Sequence, residues 1–249
     1  MDGICRGEAE FSFWKVVENE ETKGCQTHLD QEVEILRTNI TDLEECESPY
    51  FLDFDLKNSP HQFLYMETSR GCPYGCTYCL ASLDKKVRTF SLSYIQRQLE
   101  RLNTIDVKQV KFLDRSFNLE KSRSYQIAES CVACPTNVHF HLELVGDQID
   151  ENLKQLIILN KDRFHLEIGV QSFHSDVLEA VGRHSNIQNL KLTIHEFALH
   201  GVHQHTDLIA GLPYESLERL KDSLTQMVVL KPHEIQLGIL KLLKGSVKA

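Results

Sequence analysis

No stretch of the chain approaches the ~18 consecutive apolar residues of a membrane-spanning helix. The opening residues, MDGICRGEAE, lack both the basic and the apolar region of a secretory signal. Both absences point to a cytoplasmic protein with no membrane partner. Positive charge is also in deficit: 27 Lys and Arg stand against 36 Asp and Glu, a formal charge of -9. That balance argues against nucleic acid as the main partner. A disulfide scaffold is not needed either, because 249 residues, 41% of them hydrophobic, can bury a core without staples. What the chain does have is eight cysteines, three of them crowded into residues 72–79. That crowding favours metal over disulfides and requires a reducing compartment.

Residues 17–48 are acidic and weakly periodic, and Ser48-Pro49 then interrupts the pattern. Residues 1–60 are expected to form an N-terminal appendage and 61–249 the main domain. From Gln62 onward, short apolar runs alternate with amphipathic stretches, the arrangement of parallel sheets built from crossover units. Strands are expected at 63–68, 107–113, 138–144, 164–170, 203–209 and 234–240. Between them, single helical faces carry Ile95, Leu99 and Leu102, then Leu153, Leu156 and Ile157, then Leu217, Leu220, Leu224 and Met227. Six such units make an α/β fold of the partial (β/α)6 TIM-like barrel type, since a full eight-unit barrel takes ~250 residues for itself.

Strand parity separates two chemistries. Even positions of strands three and four are Val138, Phe140, Leu142, Leu144, Phe164, Leu166, Ile168 and Val170, which suits a helix-covered exterior. Odd positions are polar: His139, His141 and Glu143, then His165, Glu167, Gly169 and Gln171, with His203, His205 and Asp207 on strand five. Closed barrels fill their interiors with branched apolar residues, so a polar interior implies a cavity for a polar ligand or water. The competing reading is an antiparallel sheet with one wet face.

The sequence YMETSRGCPYGCTYCLAS places Cys72, Cys76 and Cys79 on the loop leaving strand one, at the strand end where such barrels build their sites. Three thiolates can hold three irons of a cubane cluster and leave the fourth open, while Gly71, Pro73 and Gly75 let the loop curl around it. A structural zinc site wants a fourth ligand at comparable spacing. None follows nearby, since His61 precedes the loop and the next histidine is His139, so zinc ranks second. Cys131-x2-Cys134 lacks partner cysteines, and Cys5, Cys25 and Cys46 read as ordinary residues.

Cys72-x3-Cys76-x2-Cys79, with Tyr78 before the last cysteine, resembles the signature of the radical S-adenosylmethionine (SAM) superfamily. LEIGVQSF (166–173), the Gly182-Arg183 pair and DLIAGLP (207–213) resemble strands four and five of members such as oxygen-independent coproporphyrinogen oxidases. ETSRGCPYGCTYCLAS, VKFLDRSFN (110–118) and QLGILKLLKG (236–245) resemble radical enzymes that carry an N-terminal cobalamin-binding domain. The resemblance implies a [4Fe-4S] cluster on the three cysteines and SAM chelating its open iron. It further implies reductive cleavage of SAM to a 5'-deoxyadenosyl radical acting on a small-molecule substrate, with electrons from a donor such as flavodoxin or ferredoxin; related enzymes with cobalamin transfer methyl groups. It also implies that Arg183 binds the methionyl carboxylate, that Gln171 and Glu143 bind amino, sulfonium-side or ribose groups, and that Asp207 accepts from a ribose hydroxyl. Tyr78 is expected to border the adenine, and Gly238 to let backbone approach it.

Alternatives stand beside these assignments. Arg183 reads also as a helix cap and Gly238 as a strand irregularity. The glycine-rich second-strand motif of many members is replaced by Leu113-Asp114-Arg115, which makes Asp114 the candidate for the amino group and an Asp-Arg ion pair its rival. The histidines read as cavity lining or hydrogen-bonded interior groups rather than a second metal site. The opening DGICRGEAEFSFWKVV resembles the last strand and helix of a cobalamin domain. No Asp-x-His-x-x-Gly motif occurs in the chain, so cobalamin is not expected in this polypeptide. The sequence also looks truncated at both ends. Three readings follow: a working radical enzyme, a cluster-bearing fragment without turnover, and a zinc-binding structural module.

Overall fold

The computed structural model of the protein describes residues 61–104, 107–135, 137–243 and 246, together with 4, 5, 8–10, 13, 25, 26, 40, 42–46 and 48. The chain divides into two compact units, residues 1–48 and 49–249. In the first, Ile4–Cys5 pairs antiparallel with Cys25–Gln26, and Asp42 caps a short turn at Leu43–Glu45 by accepting from the Glu44 N–H at 3.0 Å. Most of the opening segment, residues 49–60 that would join it to the main domain, and the closing SVKA apart from Ser246 lie outside the described residues.

The second unit is built on six strands: β1 His61–Met66, β2 Val107–Phe112, β3 His139–Leu144, β4 Phe164–Gln171, β5 His203–Ala210 and β6 Glu234–Ile239. They lie side by side in chain order, and every neighbouring pair is parallel. Consecutive parallel strands require crossovers. These contain α1 Leu92–Arg101, α2 Lys121–Ala133, α3 Glu151–Leu159, α4 Ser175–Ala180, α5 Ile187–His200 and α6 Leu217–Leu230. This is the expected α/β partial barrel, with the antiparallel alternative excluded.

The helices start where the sequence supplies side-chain acceptors for the orphan N–H groups of the first turn. Ser91 accepts from Tyr94, Asp150 from Asn152, and Asn186 from Asn189, at 3.1, 3.0 and 3.0 Å. Gly201, left-handed at φ 70°, ends α5. The even positions of β3 and β4 are all buried against the helices, as parity predicted. Ile95, Leu99, Leu153 and Ile157 are buried on the helix side. Helix α6 departs from expectation. Leu217 is 60% exposed, and the buried residues of that helix are Ser223 and Met227. Ser223 is held inside because its hydroxyl accepts from the Phe173 N–H at 3.1 Å. No helix among the described residues is long and apolar enough to cross a membrane.

Candidate active site

The cysteine loop leaves the C-terminal end of β1 and is closed at its base by backbone. Ser69–Arg70 pairs antiparallel with Arg88–Thr89, and the Cys72 N–H donates to the Asp84 carbonyl at 2.8 Å. Gly71 makes this closure possible. It sits at φ 96°, and a Cβ there would stand 2.5 Å from the Lys86 carbonyl oxygen. The far side of the loop docks on the turn after α4, where the Thr77 N–H donates to Val181 O at 2.9 Å. Gly182, at φ 69°, allows that approach, because a Cβ would meet the Gly75 carbonyl at 2.8 Å. Tyr78 completes the docking by packing on the buried cluster of Val177, Val181 and Leu212.

A cavity of about 200 Å³ opens beside this loop. It holds several water volumes of ~30 Å³ each, so this end of the barrel is a recess and not packed core. Cys72, Cys76 and Cys79 line it together with Tyr78 and Arg183. Glu143, Gln171 and Asp207 line it from the C-terminal halves of β3, β4 and β5. Eight of the ten residues singled out from sequence thus meet there. Asp114 and Gly238 do not line it.

Asp114 is buried beneath the loop instead. Its carboxylate accepts from Thr68 N at 2.8 Å, Thr68 Oγ1 at 2.5 Å and Ser69 Oγ at 2.5 Å, which ties the end of β2 to the start of the cysteine loop. The rival ion pair is not formed either: Arg115 faces Glu143, with Nη1 3.5 Å from Oε1. Gly238 lies in β6 opposite Ile209, and a Cβ there would find its nearest neighbour, Leu208 O, at an ordinary 3.7 Å.

Gln171 and Arg183 are placed by local distortion. β4 shifts register against β5 between Gly169 and Gln171, and Gln171 takes φ 70°, an uncommon conformation for a residue with a side chain. The bulge turns Gln171 inward over Gly169, where a Cβ would sit 2.6 Å from Gln171 Nε2 and 3.4 Å from Arg183 Nη2. Arg183 donates from Nη2 to the Gly169 carbonyl at 2.6 Å, while its buried Nε has no hydrogen-bond partner. A cationic N–H pointed into a recess without a partner is a ready site for an anionic ligand group.

The carboxylates divide by environment. Burial, reinforced by neighbouring Glu167, pushes Glu143 up to about 7. Glu167 is held below the usual carboxylate range by its hydrogen bond with His141, Oε2 to Nε2 3.1 Å. Burial also raises Asp207, followed by the charge of Glu167; its Oδ1 is 3.1 Å from His205 Nε2 without hydrogen-bond alignment. The phenols of Tyr74 and Tyr78 are raised, chiefly by burial. Of the polar lining residues, Tyr74 and His184 escaped the sequence reading, and Arg115 entered it only as a partner for Asp114. Glu167 carried the inward parity that could have nominated it. Ser116, whose Oγ is 3.8 Å from Cys72 Sγ, had no sequence signal.

The residues fit an iron-sulfur cluster with SAM beside it. Three thiols on one short loop share a recess with a buried, unpartnered cationic N–H and inward carboxylates. They do not fit a single zinc ion. Among the described residues the one group of three side chains converging on a point for one ion is His165, His203 and Glu234, and the cysteines form no such group. A family model described as the radical SAM superfamily matches residues 66–227. The chain belongs to the radical SAM superfamily.

Among curated relatives, this radical SAM chain is 26% identical over 183 residues to 2-(S-pantetheinyl)-carbapenam-3-carboxylate methyltransferase of Streptantibioticus cattleyicolor, covering 68% of this chain and 26% of the relative. It is 24% identical over 237 residues to an uncharacterized methyltransferase of Pyrococcus horikoshii, covering 89% and 51%. It therefore spans between about a quarter and a half of these relatives' length. Among solved structures, the cobalamin-dependent S-adenosylmethionine radical enzyme OxsB shares the fold with a TM-score of 0.72 at 19% identity, over 99% of this chain and 38% of OxsB.

Proposed function

We propose that residues 61–249 are the catalytic core of a radical SAM enzyme, with a [4Fe-4S] cluster on Cys72, Cys76 and Cys79 and SAM in the adjoining recess. The observation that carries this reading is the recess itself, where the three thiols, Arg183 and the inward Glu143, Gln171 and Asp207 share one space. When bound and reduced, the cluster supplies the electron that breaks the sulfonium C–S bond of SAM. The chain's own residues do the rest. Arg183 offers the unpartnered Nε–H to a carboxylate, and Gln171 presents its amide next to it. Glu143, near half-protonated at neutral pH, can accept from or donate to a ligand group beside Arg115. The half-buried phenols of Tyr74 and Tyr78, whose pKa values are raised, stay protonated beside the loop.

The substrate is read as a small molecule entering the polar lumen, and the reaction as methyl transfer or hydrogen abstraction. A flavodoxin- or ferredoxin-type protein is the proposed electron donor. The N-terminal residues are read as related to the end of a cobalamin-binding domain, which DGICRGEAEFSFWKVV resembles.

The test is anaerobic reconstitution with iron and sulfide, then dithionite and SAM, with 5'-deoxyadenosine quantified by mass spectrometry. Product that disappears in Cys76→Ala supports the reading. Cluster without product reduces the chain to a cofactor-holding fragment, and product retained in Cys76→Ala overturns the ligand assignment.

A further inference from the structure

The other end of the lumen holds a second group of ligating side chains that the proposed chemistry does not use. His165 and His203 are register partners near the starts of β4 and β5, and Glu234 opens β6 opposite His205. All three therefore sit at the N-terminal ends of their strands, whereas the cysteine loop leaves the C-terminal end of β1. The rings of His165 and His203 meet edge to face with centroids 4.0 Å apart, and His203 Nε2 is 3.4 Å from Glu234 Oε1. One ligand atom from each of the three residues lies within 4.8 Å of the others.

Two observations point to a ligand. His165 Nε2 and His203 Nδ1 are buried and have no hydrogen-bond partner. A buried polar nitrogen without a partner needs an explanation, and two of them side by side beside a carboxylate are accounted for by a shared ion. The group also borders an open cavity of about 690 Å³, lined in part by His139 and His233, which supplies an entry path for an ion.

We propose that His165, His203 and Glu234 bind one divalent transition metal of the zinc class. Two imidazoles and a carboxylate, with no thiolate, are a donor set that suits zinc and leaves a position for water. At the ~2.1 Å zinc–imidazole bond length, tetrahedral ligand atoms stand about 3.4 Å apart, so atoms at 4.8 Å close the gap by less than about 1 Å each, within reach of small χ adjustments. The metal would tie β6, at the margin of the sheet, to β5 and β4 across the lumen. The alternative is a row of imidazoles that contacts substrate and binds no ion.

The test uses the cluster-loaded protein, equilibrated anaerobically with micromolar zinc, desalted, and measured for zinc and iron by mass spectrometry. The expected result is one zinc per chain beside the cluster iron. Zinc should be lost in His165→Ala and His203→Ala with iron content and visible absorption unchanged, which shows that those variants are folded. Glu234→Gln, a nearly isosteric change at the sheet margin, should weaken zinc by more than about tenfold and serves if a histidine variant fails to fold. Absence of stoichiometric zinc in the parent overturns the proposal. So does zinc that persists in all three variants, which would place it on other side chains. Iron content reports the cluster separately, so failure here leaves the radical SAM reading intact.

Discussion

Substituting Gly169→Ala tests whether the bulge in β4 shapes a ligand site. The new Cβ would lie 2.6 Å from Gln171 Nε2, against an ordinary contact of about 3.4 Å or more, so the amide must retreat by about 1 Å. Gln171 cannot follow by shifting its backbone, because it is buried and already held at φ 70°. The side chain must change rotamer instead, which would break the hydrogen bond to SAM proposed for it. That bond is worth about 1.5 kcal/mol when the ligand group is charged, which corresponds to roughly tenfold in Kd. Equilibrium dialysis of SAM against reconstituted protein should show this rise, with iron content unchanged. The decisive comparison is Gly169→Ala in a Gln171→Ala background, where the methyl has no amide to displace and Kd should change less than about twofold. If the two effects multiply instead, Gln171 is not the group through which Gly169 acts and the reasoning fails.

Arg183→Ala should raise the Kd for SAM by about tenfold to a hundredfold, since it removes a charge-assisted hydrogen bond, while leaving the cluster spectrum unaltered; unchanged affinity would remove Arg183 from the site. Asp114→Ala strands three donors at the base of the cysteine loop and should cost about 2–4 kcal/mol in urea unfolding, with Asp114→Asn intermediate. Glu143 gives a pH test. Its folded pKa of about 7 lies above the ordinary 4.5, so the folded state binds the extra proton and stability falls as pH rises between those values. Glu143→Gln removes that loss, and the difference in Tm between variant and parent should grow in favour of the variant from pH 4.5 to 7; a constant difference would refute the assignment.

The outcome for individual residues shows where sequence reasoning stops. Parity put Glu143 and Asp207 on the inward face and the family resemblance made them ligand candidates; the inward placement survives because it depends only on the two-residue repeat of a strand. Arg183 was nominated through its pairing with Gly182, and the structure supplies the reason: Gly182 is where the Gly75 carbonyl comes close. Asp114 had the right neighbourhood but the wrong partners, because nothing local announces that Thr68 and Ser69 lie 46 and 45 residues away in space-filling contact. Leu217 continued a helical stripe on paper, yet α6 buries only Ser223 and Met227.

The sequence by itself determined the alternation of strands and helices, the apolar and polar faces of each strand, and the three-cysteine loop at a strand end. These are written in short-range periodicity and spacing, which a chain carries wherever it folds. Only the tertiary structure decided which inward residues become neighbours. The bulge that turns Gln171 over Gly169, the burial of Asp114, and the meeting of His165, His203 and Glu234 all follow from register between strands far apart in sequence. Register is set by packing of the whole sheet against its helices, and no single segment contains it.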